Sequence, residues 1–124
     1  SGIKQVYRKS SMDSLYDVLN ANEILGLVSD QDAKRKGVFV NFFNKPASTH
    51  KGAALFHLNT NASLIFGICV QKNIRQYQIE FIPINPDKKS VEDITQLYTS
   101  VIERSIKKYP EQYFWFHNRW KTKK

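Results

Sequence analysis

Apolar residues recur at the spacing of an amphipathic helix in two long segments of the chain. The first helix is predicted to begin near Ser11 and to end at residues 20–22. The second is predicted to run from a Ser90 cap to about Lys108, with acidic residues in its first turn. A third, shorter helix is predicted over about residues 50–59, where small side chains occupy the first turns.

Other apolar runs are short and rich in β-branched and aromatic residues, which is typical of strands. Residues 34–37 predict a basic turn, residues 46–49 a loop in which Ser48 or Thr49 caps the following helix, and residues 72–75 a polar connection. The resulting order, α-β-β-α-β-β-α, predicts an α/β fold with a layered, mostly buried sheet flanked by helices. The four predicted strands cover residues 23–29, 37–43, 63–70 and 76–84.

Composition adds a partner class to this picture. The chain has 124 residues, 41% of them hydrophobic, so one domain over residues 1–124 can bury a core. The net charge is +8, and residues 104–124 carry seven basic side chains against one acidic side chain. This balance indicates nucleic acid, anionic lipid or an acidic protein as partner, with a merely solvated tail as the alternative. The lone Cys69 excludes an intramolecular disulfide, and its apolar neighbours predict a buried thiol.

No catalytic histidine can be recognised in the chain. None of His50, His57 and His117 is followed five positions later by an acidic residue that could orient it as a general base. No aspartate stands at metal-ligand spacing from a histidine, so neither a metal nor a cofactor is predicted. The aromatic strand at residues 37–43 lacks flanking basic residues, so a nucleic-acid partner is not predicted.

One acidic motif is a candidate site. Asp30, Gln31 and Asp32 directly follow the strand predicted at residues 23–29, where α/β sheets place their ligand sites. The alternative is a turn in which the two carboxylates accept hydrogen bonds from backbone N–H groups.

Several segments, taken together in order, resemble one family. The chain is similar to the C-terminal half of the bacterial lipid A biosynthesis acyltransferases, which belong to the glycerolipid acyltransferase superfamily. Asn44 and Asn61 stand where the family usually has glycine, and asparagine tolerates the left-handed backbone, so a positive φ is expected at both positions. The segments are EILGLVSDQD at residues 23–32, GVFVNFF at 37–43, PAST at 46–49, Gly52, and PEQYFWFHNRWKT at 110–122.

The resemblance implies a function. The family moves a fatty acyl group from acyl carrier protein, held as a thioester, to a lipid A-type or related glycolipid acceptor at the cytoplasmic face of the bacterial inner membrane. Its general-base motif, HxxxxD/E, and its membrane-anchoring helix lie in the N-terminal half and are not found in these residues. The chain is therefore expected to be a peripheral fragment that is inactive alone. The alternative is a stand-alone binding module for an anionic membrane or an acidic protein.

The resemblance also implies roles for particular residues. Arg8, Ser48, Thr49 and Lys51 would contact anionic groups. Asp30, Gln31 and Asp32 would shape the acceptor site. Phe42 and Phe43 would line the path of the acyl chain, with core packing as the alternative. Arg119, Trp120 and Lys121 would meet the membrane interface, with a helix-end packing cluster as the alternative.

Overall fold

The computed structural model describes residues 2–6, 12–87 and 90–124. The mixture of helices and strands confirms the predicted α/β class. Two single-turn 3₁₀ segments, Lys34–Lys36 and Pro110–Gln112, supplement the main elements. The main elements are α1 (Met12–Asn20), β1 (Val38–Phe42), β2 (Lys45–Thr49), α2 (Gly52–Thr60), β3 (Leu64–Asn73), β4 (Gln76–Ile84) and α3 (Val91–Lys108).

The strands β1 and β2 form an antiparallel hairpin, so the loop predicted over residues 46–49 is wrong. Phe42 pairs with Lys45, which leaves a two-residue turn at Phe43 and Asn44, whose φ angles are 51° and 60°. Positive φ at both central residues is the signature of a type I′ turn, whose twist suits a hairpin and sends the chain straight back. The positive φ expected at Asn44 is confirmed.

Helix α2 begins later than predicted, and its predicted caps lie elsewhere. Ser48 and Thr49 belong to β2 and are fully buried, and the residue that precedes the helix, Lys51, makes no side-chain cap. The end of α2 follows the prediction: Asn61 has a φ of 57°, and its N–H donates to the carbonyl of His57.

The hairpin of β3 and β4 packs only one of its sides against the rest of the protein. Phe66 and Ile82 contact the core, while Ile65 and Phe81 point outward and are 63% and 71% exposed. The described strands thus form two separate two-stranded antiparallel sheets rather than the expected single, mostly buried sheet. The predicted burial of Cys69 is also wrong, because side chains alternate along β3 and this thiol falls on the outer side.

The strand predicted over residues 23–29 does not form. This segment is irregular, and Ile24 and Val28 are 97% and 92% exposed. Its apolar, β-branched composition favours a strand, but a strand also needs a neighbour to complete its hydrogen bonds, and no described residue pairs with it.

Helix α3 organises the core on two sides. Its N-terminus is capped as predicted, since the Ser90 hydroxyl accepts from the backbone N–H of Asp93 at 3.0 Å. Ile94, fully buried, lies in the cluster shared with α2 and the β3–β4 hairpin. Ile106 packs against Phe42 of the β1–β2 hairpin. Within the described parts of the chain, no helix is long and apolar enough to cross a membrane.

Candidate functional site

The acidic motif is held by the C-terminal segment of the chain. The backbone N–H of Asp32 donates to Nε2 of His117 at 3.0 Å, and its carboxylate Oδ2 accepts from the Thr122 hydroxyl at 2.8 Å. The same oxygen accepts from the backbone N–H of Lys34 at 3.2 Å. Asp32 is 9% exposed, so these bonds replace water around a largely buried carboxylate. The structure therefore brings together both predicted elements, the acidic motif and the C-terminal motif, although they lie 85 to 90 residues apart.

His117 acts here as a hydrogen-bond acceptor. Nε2 accepts this bond from a backbone N–H, so that nitrogen is used as an acceptor within the protein. His57 uses its ring to donate from Nδ1 to the carbonyl of Ala62, at 2.8 Å. Both rings are thus bonded to backbone groups, which is a structural use of histidine.

Arg119 lies in the interior, and the membrane contact predicted for it is wrong. The side chain is 2% exposed, and it donates to the Ser48 carbonyl and to the Thr49 hydroxyl, both at 2.6 Å. Its guanidinium also stacks 5.3 Å from the centre of the Phe42 ring. Burial lowers the pKa of Arg119, while Tyr113 and the nearby carboxylates oppose that shift. Arginine keeps its charge even so, and the guanidinium fixes β2 from within.

The neighbours of Arg119 differ in their exposure. Trp120 is half-buried, lies 5.5 Å from Phe42 between ring centres, and donates from Nε1 to the Phe42 carbonyl at 3.3 Å. Lys121 is exposed. Of the three residues predicted at a membrane surface, only Lys121 therefore has a fully exposed side chain, and the packing alternative describes the other two.

Asp30 occupies a different environment from Asp32. Asp30 lies at the rim of a groove of about 460 Å³, which Asp32 does not line. Oδ1 of Asp30, like Oδ1 of Asp32, is buried without a hydrogen-bond partner among the described residues. The negative charge of Asp30 also raises the pKa of Tyr113, an effect that adds to the larger contribution of burial. Gln31, between the two aspartates, is exposed. A buried carboxylate oxygen without a donor is costly, so this atom is suited to receive a hydrogen bond from a ligand.

The groove itself is apolar. It runs between α2, α3 and β3 and is bordered by the irregular segment that contains the acidic motif. Tyr98 and Tyr113 supply part of its polar lining. The apolar lining includes Leu25, Leu27, Phe56, Leu64, Phe66 and Ile102.

The remaining predicted site residues do not converge on this groove. Ser48 and Thr49 are fully buried and hydrogen-bonded inside the protein, so their hydroxyls cannot contact an anionic substrate as predicted. Phe42 is 1% exposed and packs in the core, which is the alternative to lining the path of the acyl chain. Phe43 is half-buried in the hairpin turn. Lys51 is half-buried just before α2. Arg8 lies outside the described residues.

Sequence reasoning missed the roles of His117, Thr122 and Tyr113. All three fall inside the stretch PEQYFWFHNRWKT that carries the resemblance, but residue type alone does not show that they reach the acidic motif. Among the residues the structure describes, no group of three or more histidine, cysteine or acidic side chains could hold a metal ion.

Comparison with known proteins identifies the family of this chain. Residues 1–122 match the family described as bacterial lipid A biosynthesis acyltransferase. The lipid A biosynthesis palmitoleoyltransferase of Escherichia coli (strain K12) is 27% identical over 124 residues, which cover 97% of this chain and 40% of that protein. The lauroyltransferase of lipid A biosynthesis from the same strain is 26% identical over 125 residues, covering 97% of this chain and 41% of that protein. A lipid A biosynthesis acyltransferase of Shigella flexneri is 27% identical with the same coverage as the first.

The chain therefore belongs to a family of acyltransferases. More specifically, the chain belongs to the bacterial lipid A biosynthesis acyltransferases. It spans about 40% of the length of the curated relatives it matches.

Proposed function

We propose that this chain supplies the acceptor-side part of an acyltransferase site. The reaction is transfer of a fatty acyl group from acyl carrier protein to a lipid A-type glycolipid acceptor, at the cytoplasmic face of the bacterial inner membrane. The observation that carries the proposal is the apolar groove with Asp30 at its rim, in a chain that matches the family over residues 1–122. The groove binds the hydrocarbon part of the lipid, and the carboxylate of Asp30 accepts a hydrogen bond from a hydroxyl of the sugar headgroup.

The two aspartates have different roles in this proposal. Asp32 is held through Oδ2 by its bonds to Lys34 and Thr122, and it keeps the loop in place. Within the part of the chain that the structure describes, Oδ1 is without a partner in both aspartates, but only Asp30 lines the groove, and it positions the acceptor by receiving a hydrogen bond from it. Neither is proposed to take the proton of the attacking hydroxyl. That role falls to the histidine of the HxxxxD/E motif, which these 124 residues do not contain, so the isolated chain is proposed to be inactive.

Lys51 and Gln31 remain proposed contacts for the phosphate and hydroxyl groups of the acceptor. Lys51 is half-buried immediately before α2, and Gln31 is exposed beside the two aspartates. Phe43, half-buried in the hairpin turn, remains a proposed contact for the acyl chain.

A chimera tests the proposal. Residues 1–122 would replace the matched part of the E. coli palmitoleoyltransferase, and transfer of a radiolabelled acyl chain from acyl carrier protein to a lipid A precursor would be measured. We expect turnover by the chimera, a loss of about tenfold or more with Asp30→Asn, and no change with Asp87→Asn, which alters an exposed aspartate outside the groove.

Two results would contradict the proposal. Turnover by the isolated chain would show that the base lies within it. A folded chimera whose activity is indifferent to Asp30→Asn would remove this residue from the acceptor site. Binding of a fluorescent fatty acid by the isolated chain, reduced by Phe66→Asp, gives a second measurement that does not depend on the chimera.

A further inference from the structure

Three consecutive aromatic residues near the C-terminal motif project from the protein. Phe114, Trp115 and Phe116, here called the aromatic tip, are 61%, 50% and 92% exposed. The rings of Phe114 and Phe116 lie 6.0 Å apart and form one shared apolar projection. Large apolar side chains grouped at the surface in this way mark an interaction site more often than scattered ones.

The aromatic tip is anchored at its centre. Nε1 of Trp115 donates to the carbonyl of Pro110 at 2.7 Å, and its ring packs 4.9 Å from Tyr113 and 5.9 Å from Phe43. Trp115 is thus fixed to the protein while its two neighbours point away. A pre-ordered tip loses little conformational entropy when it enters an apolar phase.

Exposed lysines follow the aromatic tip closely in the sequence, and one further lysine lies near its base. Lys121, Lys123 and Lys124 are exposed, and no ion pair of the described residues involves them. Lys121 stands five positions after Phe116, a distance of at most about 17 Å even for a fully extended chain. On the other side, Lys107 lies 5.5 Å from the Phe43 ring, which itself contacts Trp115. Aromatic side chains bordered by lysines match the headgroup region of an anionic bilayer.

A second exposed apolar surface among the described residues consists of uncharged side chains. It is the outer side of the β3–β4 hairpin, where Ile65 pairs with Pro83, Gly67 with Phe81, and Cys69 with Ile79. All of these side chains are uncharged. This surface therefore offers a control that is apolar and exposed and whose own paired side chains are uncharged.

We propose that the aromatic tip and the three lysines dock the protein on an anionic membrane surface, with Phe114 and Phe116 inserted at the headgroup level. The proposal replaces the contact first predicted at Arg119 and Trp120, whose side chains serve the interior. It draws on the proposed function only in taking a lipid bilayer, rather than an acidic protein, as the partner.

The test measures binding of the chain to vesicles of equal parts phosphatidylcholine and phosphatidylglycerol, by flotation. We expect binding to these vesicles and not to pure phosphatidylcholine, with a loss at ionic strength near 1 M, where the Debye length falls to about 3 Å. Phe114→Ser with Phe116→Ser should weaken the partition coefficient by about tenfold or more. Replacing the three lysines with glutamine should also abolish the preference for phosphatidylglycerol.

Matched controls keep the result specific. Ile79→Ser with Phe81→Ser removes equally exposed apolar side chains from the hairpin and should leave binding unchanged. Phe116→Ser alone alters a side chain that is 92% exposed, so its effect cannot come from unfolding. The emission of Trp115 should shift to shorter wavelength on vesicles, and Trp115→Phe should remove that shift.

Several outcomes would overturn the proposal: no binding to the anionic vesicles, equal binding to neutral ones, or an equal loss with the hairpin variant. Capture of acyl carrier protein that depends on the tip, without vesicle binding, would assign the surface to a protein partner instead. Vesicle binding does not depend on turnover. A chimera that is inactive but still binds vesicles would therefore contradict the proposed function and leave the proposed membrane contact standing.

Discussion

Removing the guanidinium of Arg119 should destabilise the protein more than any surface substitution. The side chain makes two hydrogen bonds of 2.6 Å to β2, inside a region where Ser48 and Thr49 have no exposed surface. A hydrogen bond to a charged group contributes about 1.5–3 kcal/mol. Deletion leaves the buried Thr49 hydroxyl without the donor that Arg119 supplies, and the Ser48 carbonyl with the N–H of Ala33. Arg119→Ala should therefore lower the free energy of unfolding by roughly 3–5 kcal/mol, a large fraction of the 5–15 kcal/mol typical of a domain.

Urea denaturation followed by tryptophan fluorescence would measure this loss, because Trp120 lies against Phe42 in the same cluster. Arg119→Lys keeps the charge but cannot form both bonds of the planar guanidinium, so it should lose about half as much. Arg104→Ala removes an exposed arginine that takes part in no described ion pair, and it should stay within about 0.5 kcal/mol of the parent. A loss for Arg119→Ala no greater than for Arg104→Ala would refute the reasoning.

Three further predictions follow from the β1–β2 hairpin and its surroundings. A Cβ at Gly37 would lie 2.8 Å from the carbonyl oxygen of Thr49, so Gly37→Ala should cost roughly 1–3 kcal/mol in a denaturation experiment, whereas Gly26→Ala, with open space around it, should cost nothing. Asn44→Ala should lose about 1 kcal/mol because of its left-handed backbone, and Asn44→Gly should lose none; equal thermal stability of the two would contradict this. The pKa of Glu103 lies below its usual value of 4.5 because the carboxylate bonds Lys107 and the first backbone N–H of the hairpin turn. Its stabilising effect is therefore complete above pH 4.5 and is lost as the pH falls through the lowered pKa, so the stability difference between the parent and Glu103→Gln should shrink on acidification.

Local signals in the sequence were sufficient wherever the structure is decided locally. The Ser90 cap, the apolar stripe of α3 and the left-handed residues Asn44 and Asn61 each depend on a few neighbouring residues, and all are confirmed. The family resemblance is confirmed by the match over residues 1–122.

Features that depend on distant partners could not be predicted in this way. Residues 23–29 have the composition of a strand, but their state is decided by whether another strand lies beside them. Arg119 has a basic charge next to a tryptophan, as a membrane-facing residue does, yet its burial is decided by β2, 70 residues earlier. Ser48 resembles a helix cap in sequence, but the turn at Phe43 places it in a strand.

The bonds between the C-terminal segment and the acidic motif have a consequence for biosynthesis. His117, Arg119 and Thr122 meet partners that leave the ribosome 70 to 90 residues before them. Helix α3 and both hairpins can therefore form while the loop around Asp32 still lacks its hydrogen bonds to His117 and Thr122. Contacts of such wide sequence separation form late and slowly. The acidic loop therefore completes its hydrogen bonds only when the residues around Thr122 are in place, and until then it is open to chaperones or proteases that act on the nascent chain.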